Sequence, residues 1–225
     1  MWVVLPIAVL LLVLGSGPAA GKPLPRRPRG PALVPFTPER VFWRKWKNPK
    51  TKKEEDQYRT SIVETPQELA DGAAVKLGRP VKLEAFVLAT LVASEAGRAP
   101  LIGKVAVAHA ARNMARKKGK GMTLVKLLLP DGKFGSQQGR YAATKTPPTA
   151  EALSVAEGVL SGRIKDPAGA IQWDSPNVQA QLVARGEPGY DPRNLPDKVA
   201  RDRLAAGRRL VVLPGVDPNY LRLWA

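Results

Sequence analysis

The apolar positions of this chain fall mostly into helical rather than strand periods. From Val81 to Ala96 the sequence is largely Ala, Leu and Val, and Gly97 and Pro100 stop the run. The pattern predicts a helix over Val81–Ala96 and another over Leu101–Lys117, closed by Lys-Lys-Gly-Lys-Gly. An earlier start stands at Thr65, where threonine, Pro66 and Glu68 have the spacing of a capping box with proline at the first helical position. Thr146-Pro147-Pro148 opens a further helix that runs to Leu160 and stops at Gly162, and Asp197–Leu210 also reads as helical. Strand-type alternation is scarce; Ala170–Trp173 and Leu210–Leu213 are the extended pieces expected. The sum is a mainly α domain with few short strands and long Gly/Pro-rich loops after Lys117 and after Asp166.

Two segments precede that domain. Residues 1–21 carry no charged side chain, and Trp2–Leu14 is an almost unbroken apolar run followed by small residues at Gly15–Ala20. This pattern predicts a signal peptide and an exported protein, in the cell envelope or secreted. A retained membrane anchor is the alternative, because Lys22, Arg26, Arg27 and Arg29 follow the run and no basic residue precedes it. Residues 22–64 read as a linker. Its proline density predicts an extended, polyproline-like tether over Lys22–Lys53. Within it, 40–53 alternates Trp with Lys and Arg, which suits an anionic polymer or a membrane surface, unless the tryptophans pack back onto the domain. The compact domain is expected over 65–225.

Composition narrows the chemistry. The chain has 225 residues, 44% hydrophobic and 24% charged, enough for a packed core. It has no cysteine, which excludes disulfides, thiolate metal sites and cysteine nucleophiles. Its single histidine, His109, cannot supply a multi-histidine zinc site and reads as a packed, hydrogen-bonded ring. Neither a thiolate nor a multi-histidine metal site is therefore expected. Lys and Arg number 36 against 19 acids, a net charge of +17, so an anionic partner is favoured.

One acid stands out. Glu95 lies in the last turn of the Val81–Ala96 helix and shares a face with Leu88, Leu91 and Val92. Apolar neighbours and the negative end of the helix dipole both disfavour its ionised form. A carboxyl that keeps its proton is what general-acid cleavage of a glycosidic bond requires. The competing reading is a glutamate that bends into water or pairs with Arg98.

The surroundings of Glu95 carry a resemblance. Glu95-Ala-Gly-Arg-Ala-Pro100 is followed by Gly103, Ala106-Val107-Ala108 and Asn113. Downstream come Phe134-Gly-Ser136-Gln137, Arg140-Tyr141-Ala-Ala-Thr144, and then Leu160-Ser161-Gly162 with Asp166-Pro167-Ala-Gly169-Ala170 and Trp173. This ordered set, over 81–176, resembles the SleB-type cell wall hydrolases. The resemblance implies a lysozyme-like helical fold, related to lytic transglycosylases, and cleavage of the β-1,4 bond between N-acetylmuramic acid and N-acetylglucosamine. It makes Glu95 the catalytic acid, with Ser136, Gln137, Tyr141, Thr144, Trp173 and Asn113 as candidate substrate-binding residues. Ala99 stands where relatives carry a second acid, Met114 where arginine is usual and Lys133 where glutamine is common. The Asp-Pro loop is a residue shorter.

With the second acid replaced, a lytic transglycosylase using one acid/base residue is the first expectation. A muramidase with Asp174 as partner is the nearest variant. The expected partner is peptidoglycan and the expected state a monomer. The rival of another class is a basic nucleic-acid- or envelope-binding structural protein, although no RRM, zinc-finger or homeodomain pattern is recognisable. A zinc amidase is disfavoured by the lone histidine and absent cysteines.

Overall fold

A computed structural model describes residues 30–47, 52–130, 132–134, 146–184 and 196–225. The order is β1 (Pro38–Lys47), β2 (Glu54–Ile62), α1 (Pro66–Leu77), α2 (Leu83–Glu95), α3 (Leu101–Lys117), α4 (Leu124–Leu128), α5 (Ala150–Leu160), β3 (Gln172–Asp174), α6 (Pro176–Ala184), α7 (Pro196–Ala205), β4 (Leu210–Val211) and β5 (Arg222–Trp224).

α2 is the axis of the core. Its sequence is apolar on every side, and Ala85 through Ala93 are all buried, as expected of a helix enclosed by others. α1, α3, α4 and α5 pack around it. Its one interior hydroxyl, Thr90, donates to the Phe86 carbonyl at 3.0 Å. α1 is fixed by local chemistry. Glu68 N–H donates to Thr65 Oγ1 at 3.2 Å, Thr65 N–H donates to Glu68 Oε2 at 2.7 Å, and Gly78 ends the helix in the left-handed region.

The α2–α3 joint is tight. Ala99 N–H donates to the Ala96 carbonyl at 2.9 Å, and Pro100 leads into α3. A Cβ at Gly103 would stand 2.9 Å from the Ala99 Cβ and 3.4 Å from Leu221 and Val216, so only glycine lets the C-terminal segment seat here.

The expectation of a mainly α, lysozyme-like helical domain is overturned. The chain is mixed α/β, 45% helix and 16% strand, with two small antiparallel sheets. The larger share of strand is the β1–β2 hairpin, in the stretch expected to be a linker. A β-bulge between Phe42 and Arg44 shifts the register and breaks the strict alternation by which a strand is read. Upstream of it, Leu33 is buried, and Phe36 stacks on Phe134 with centroids 5.2 Å apart. The base of the hairpin is clamped by Val63 N–H to the Thr37 carbonyl, 3.0 Å, and by hydrogen bonds from Thr37 to the Glu64 carboxylate.

The hairpin also changes the electrostatic reading of 40–53. Its register places Asp56 opposite Lys45, Glu55 opposite Trp46 and Glu54 opposite Lys47. The basic strand is thereby balanced by an acidic one. Phe42 and Tyr58 pair across the strands, edge to face at 6.1 Å, with the Arg40 guanidinium 4.0 Å from the Tyr58 ring centre.

The second sheet has the order β3–β5–β4, with Trp173 opposite Leu223 and Leu210 opposite Trp224. The helix expected to reach Leu210 stops at Ala205. Gly207 takes a left-handed φ of 73°, and Arg208 N–H returns to the Arg203 carbonyl at 2.9 Å. Among the described residues no helix is long and apolar enough to cross a membrane; residues 1–21 lie outside them.

Candidate active site

Glu95 is the last residue of α2, and Leu88, Leu91 and Val92 on its face are all buried. The carboxyl is itself half-buried and accepts a hydrogen bond from Trp173 Nε1 at 3.3 Å. Removal from water pushes its pKa above the usual glutamate range, and the indole donor offsets part of that rise. Among the described residues no cation pairs with it. Arg98 remains exposed, and its backbone N–H donates to the Tyr220 hydroxyl at 3.2 Å. Gly97 does not adopt the left-handed conformation; Ala96 closes the helix through its N–H to the Val92 carbonyl.

Trp173 reaches Glu95 because β3 alternates. It faces the carboxyl, while Asp174 points to the opposite side of the strand. The loop before β3 is held by three polar groups. Asp166 Oδ1 accepts from the Ala168 and Gly169 N–H groups, both at 2.9 Å. The Asn113 amide donates to Asp166 Oδ2 at 2.8 Å and to the Ala170 carbonyl at 3.0 Å. His109 Nε2 lies 3.0 Å from the Ile164 carbonyl, with Nδ1 4.0 Å from Asp166. Burial raises the Asp166 pKa, but the donors of Ala168, Asn113 and Gly169, with the nearby imidazole, outweigh it and leave the carboxyl below its usual range. Asn113 therefore supports the strand carrying Trp173 and makes no bond to Glu95.

Asp174 is buried and fully engaged. Arg203 Nη1 donates to Oδ1 at 3.0 Å and Trp224 Nε1 to the same oxygen at 2.6 Å. Arg222 donates to Oδ2 through Nε at 3.1 Å and through Nη2. Sequence reasoning missed this cluster. Its signal was the alternation of Leu221 and Leu223 with Arg222 and Trp224, a short strand by its period of two.

Of the expected substrate-binding residues, Trp173 is brought to Glu95 and Asn113 is not. Ser136, Gln137, Tyr141 and Thr144 lie outside the described residues. Neither of two cavities is lined by Glu95. One of about 230 Å³ adjoins Ala93, Gly97, Lys104 and Glu151. The larger, about 770 Å³, lies at the other end of α2. No group of three or more potential metal-ligating side chains occurs among the described residues.

Replacing Trp173 by phenylalanine removes the indole donor while keeping an aromatic ring. Loss of a bond that favours the ionised carboxylate raises the Glu95 pKa further. The expected result is a shift of its titration, followed by carboxyl NMR, to higher pH. An unchanged midpoint would show that the 3.3 Å contact has no electrostatic weight.

Comparison of the chain with models of protein families, with curated proteins and with solved structures returned no match.

Proposed function

We propose that this protein is an exported enzyme that cleaves the β-1,4 MurNAc–GlcNAc bond of peptidoglycan as a lytic transglycosylase. The observation that carries the reading is Glu95: a half-buried carboxyl at the end of an apolar helix, its pKa raised, held by an indole and unpaired with any described cation. Such a group donates its proton to the bridging oxygen as the glycosidic bond breaks. The resulting carboxylate then accepts the proton of the muramyl 6-hydroxyl, whose oxygen closes onto the anomeric carbon. This chemistry uses one carboxyl and calls for no metal or organic cofactor.

A hydrolase of the same bond needs a second carboxylate about 5–10 Å from the first. Asp174 is occupied by two guanidinium groups and an indole, and Asp166 by loop amides and Asn113. Their engagement supports the single-carboxyl route over the muramidase with Asp174. The nucleic-acid-binding alternative is weakened at the basic stretch it drew on, since that strand of the hairpin faces an acidic one.

Mass spectrometry of products from purified peptidoglycan tests the proposal. Muropeptides ending in anhydromuramic acid, lighter by one water than reducing ends, are expected. Reducing ends alone would replace the transglycosylase by a hydrolase, and absence of any fragment would remove the activity itself.

A further inference from the structure

We propose that the 770 Å³ cleft between the start of α2 and the ends of α3 and α5 binds a small phosphorylated molecule. This goes beyond the Glu95 reading: Glu84, which lines the cleft, is separated from Glu95 by about 16 Å along the α2 axis.

Four cations from three parts of the fold line the cleft: Lys82 before α2, Arg112 and Arg116 on α3, and Arg163 after α5. Arg112 and Arg116 are one helical turn apart, with Cβ atoms about 6 Å from each other. Two carboxylates are also present, but Glu157 is claimed by a two-point bond from Arg79, at 2.6 and 2.9 Å. Glu84 is left against the four. Arg112 spends one N–H on the Val159 carbonyl, and Arg163 spends Nε on Ser161, so both keep further donors. Lys82 and Arg116 are exposed and make no side-chain bond to any described residue.

This excess of positive charge exceeds what one carboxylate could neutralise and matches a phosphate monoester or diphosphate. Guanidinium forks donate to phosphate oxygens in pairs, and lysine supplies a point charge. Ala85, Met122 and Leu160 add apolar wall for an organic body. The volume falls in the range of about 300–1,000 Å³ for small-molecule sites.

Titration calorimetry of the full chain with inorganic pyrophosphate tests the site. Lys82→Gln with Arg116→Gln removes two cations from the cleft. Lys45→Gln with Lys47→Gln removes the same charge from the hairpin. Saturable one-to-one binding is expected, weakened about tenfold or more by the cleft pair, as loss of charge-assisted hydrogen bonds implies, and unchanged by the hairpin pair. Citrate should bind more weakly than pyrophosphate. No saturable binding, or equal weakening by both pairs, overturns the site. Citrate binding as tightly as pyrophosphate overturns the phosphate assignment. Circular dichroism of the cleft pair guards against misfolding, and if it changes, Lys82→Gln alone must still weaken pyrophosphate binding for the site to stand.

Discussion

Glu95→Gln is expected to lower release of fragments from purified peptidoglycan by about 10²–10⁴-fold, the usual contribution of a positioned proton donor. Glutamine keeps the shape of the side chain and can still accept the Trp173 hydrogen bond, so only the transferable proton is lost. The same substitution has a signature in stability. The native Glu95 pKa lies above its unfolded value, because burial disfavours the charge. The native state therefore holds its proton more tightly, and stability falls as pH rises from the unfolded pKa through the native one. Glu95→Gln abolishes that fall. At neutral pH the variant should melt above the wild type, by about 2–4 °C for each kcal/mol recovered in a domain of this size. The difference should vanish in acid, where both states of the wild type are protonated. An inactive variant with a lower Tm at pH 7 would mean that Glu95 is structural, and full activity would end its assignment as the acid.

Asp174→Ala is expected to destabilise the fold by about 3–5 kcal/mol, because it takes a buried carboxylate away from two inward-facing guanidinium groups. Asp174 has a side-chain exposure of 3%, against 16% for Arg203 and 11% for Arg222. The cost is therefore that of breaking a buried ion pair rather than a surface one. A fall in Tm of about 10 °C, read by differential scanning calorimetry, would match it. The outcome also separates two roles. A catalytic Asp174 would lose activity while the Tm held; a structural one lowers the Tm, and activity declines only as the fold does.

Much of the helical part was legible because its signals are local. The Thr65 capping box, the Leu101–Lys117 helix and the apolar face behind Glu95 each follow from spacing alone. The β1–β2 hairpin was not, because its bulge interrupts the period and its pairing depends on acids at Glu54–Asp56 that stabilise nothing until they face Lys45–Lys47. β5 was missed for a related reason. Three residues of strand carry little signal, and Arg222 and Trp224 acquire their meaning only when Asp174, far away in sequence, lies beside them. At the candidate site the acid was readable from its helix, whereas Trp173 entered through a resemblance and was placed by the alternation of β3. The roles of Asn113 and Asp166 in holding that strand required the long-range contact to be seen.

The middle position of β5 has a consequence during synthesis. Both neighbours of this strand, β3 and β4, precede it in the chain, so neither can settle before Arg222–Trp224 leaves the ribosome. A nascent polypeptide stalled short of that point holds Glu95 and Trp173 but not the clasp that aligns them. Until then β3 lacks its ladder partner, and the Trp173 contact with Glu95 rests on the loop held by Asn113 and Asp166.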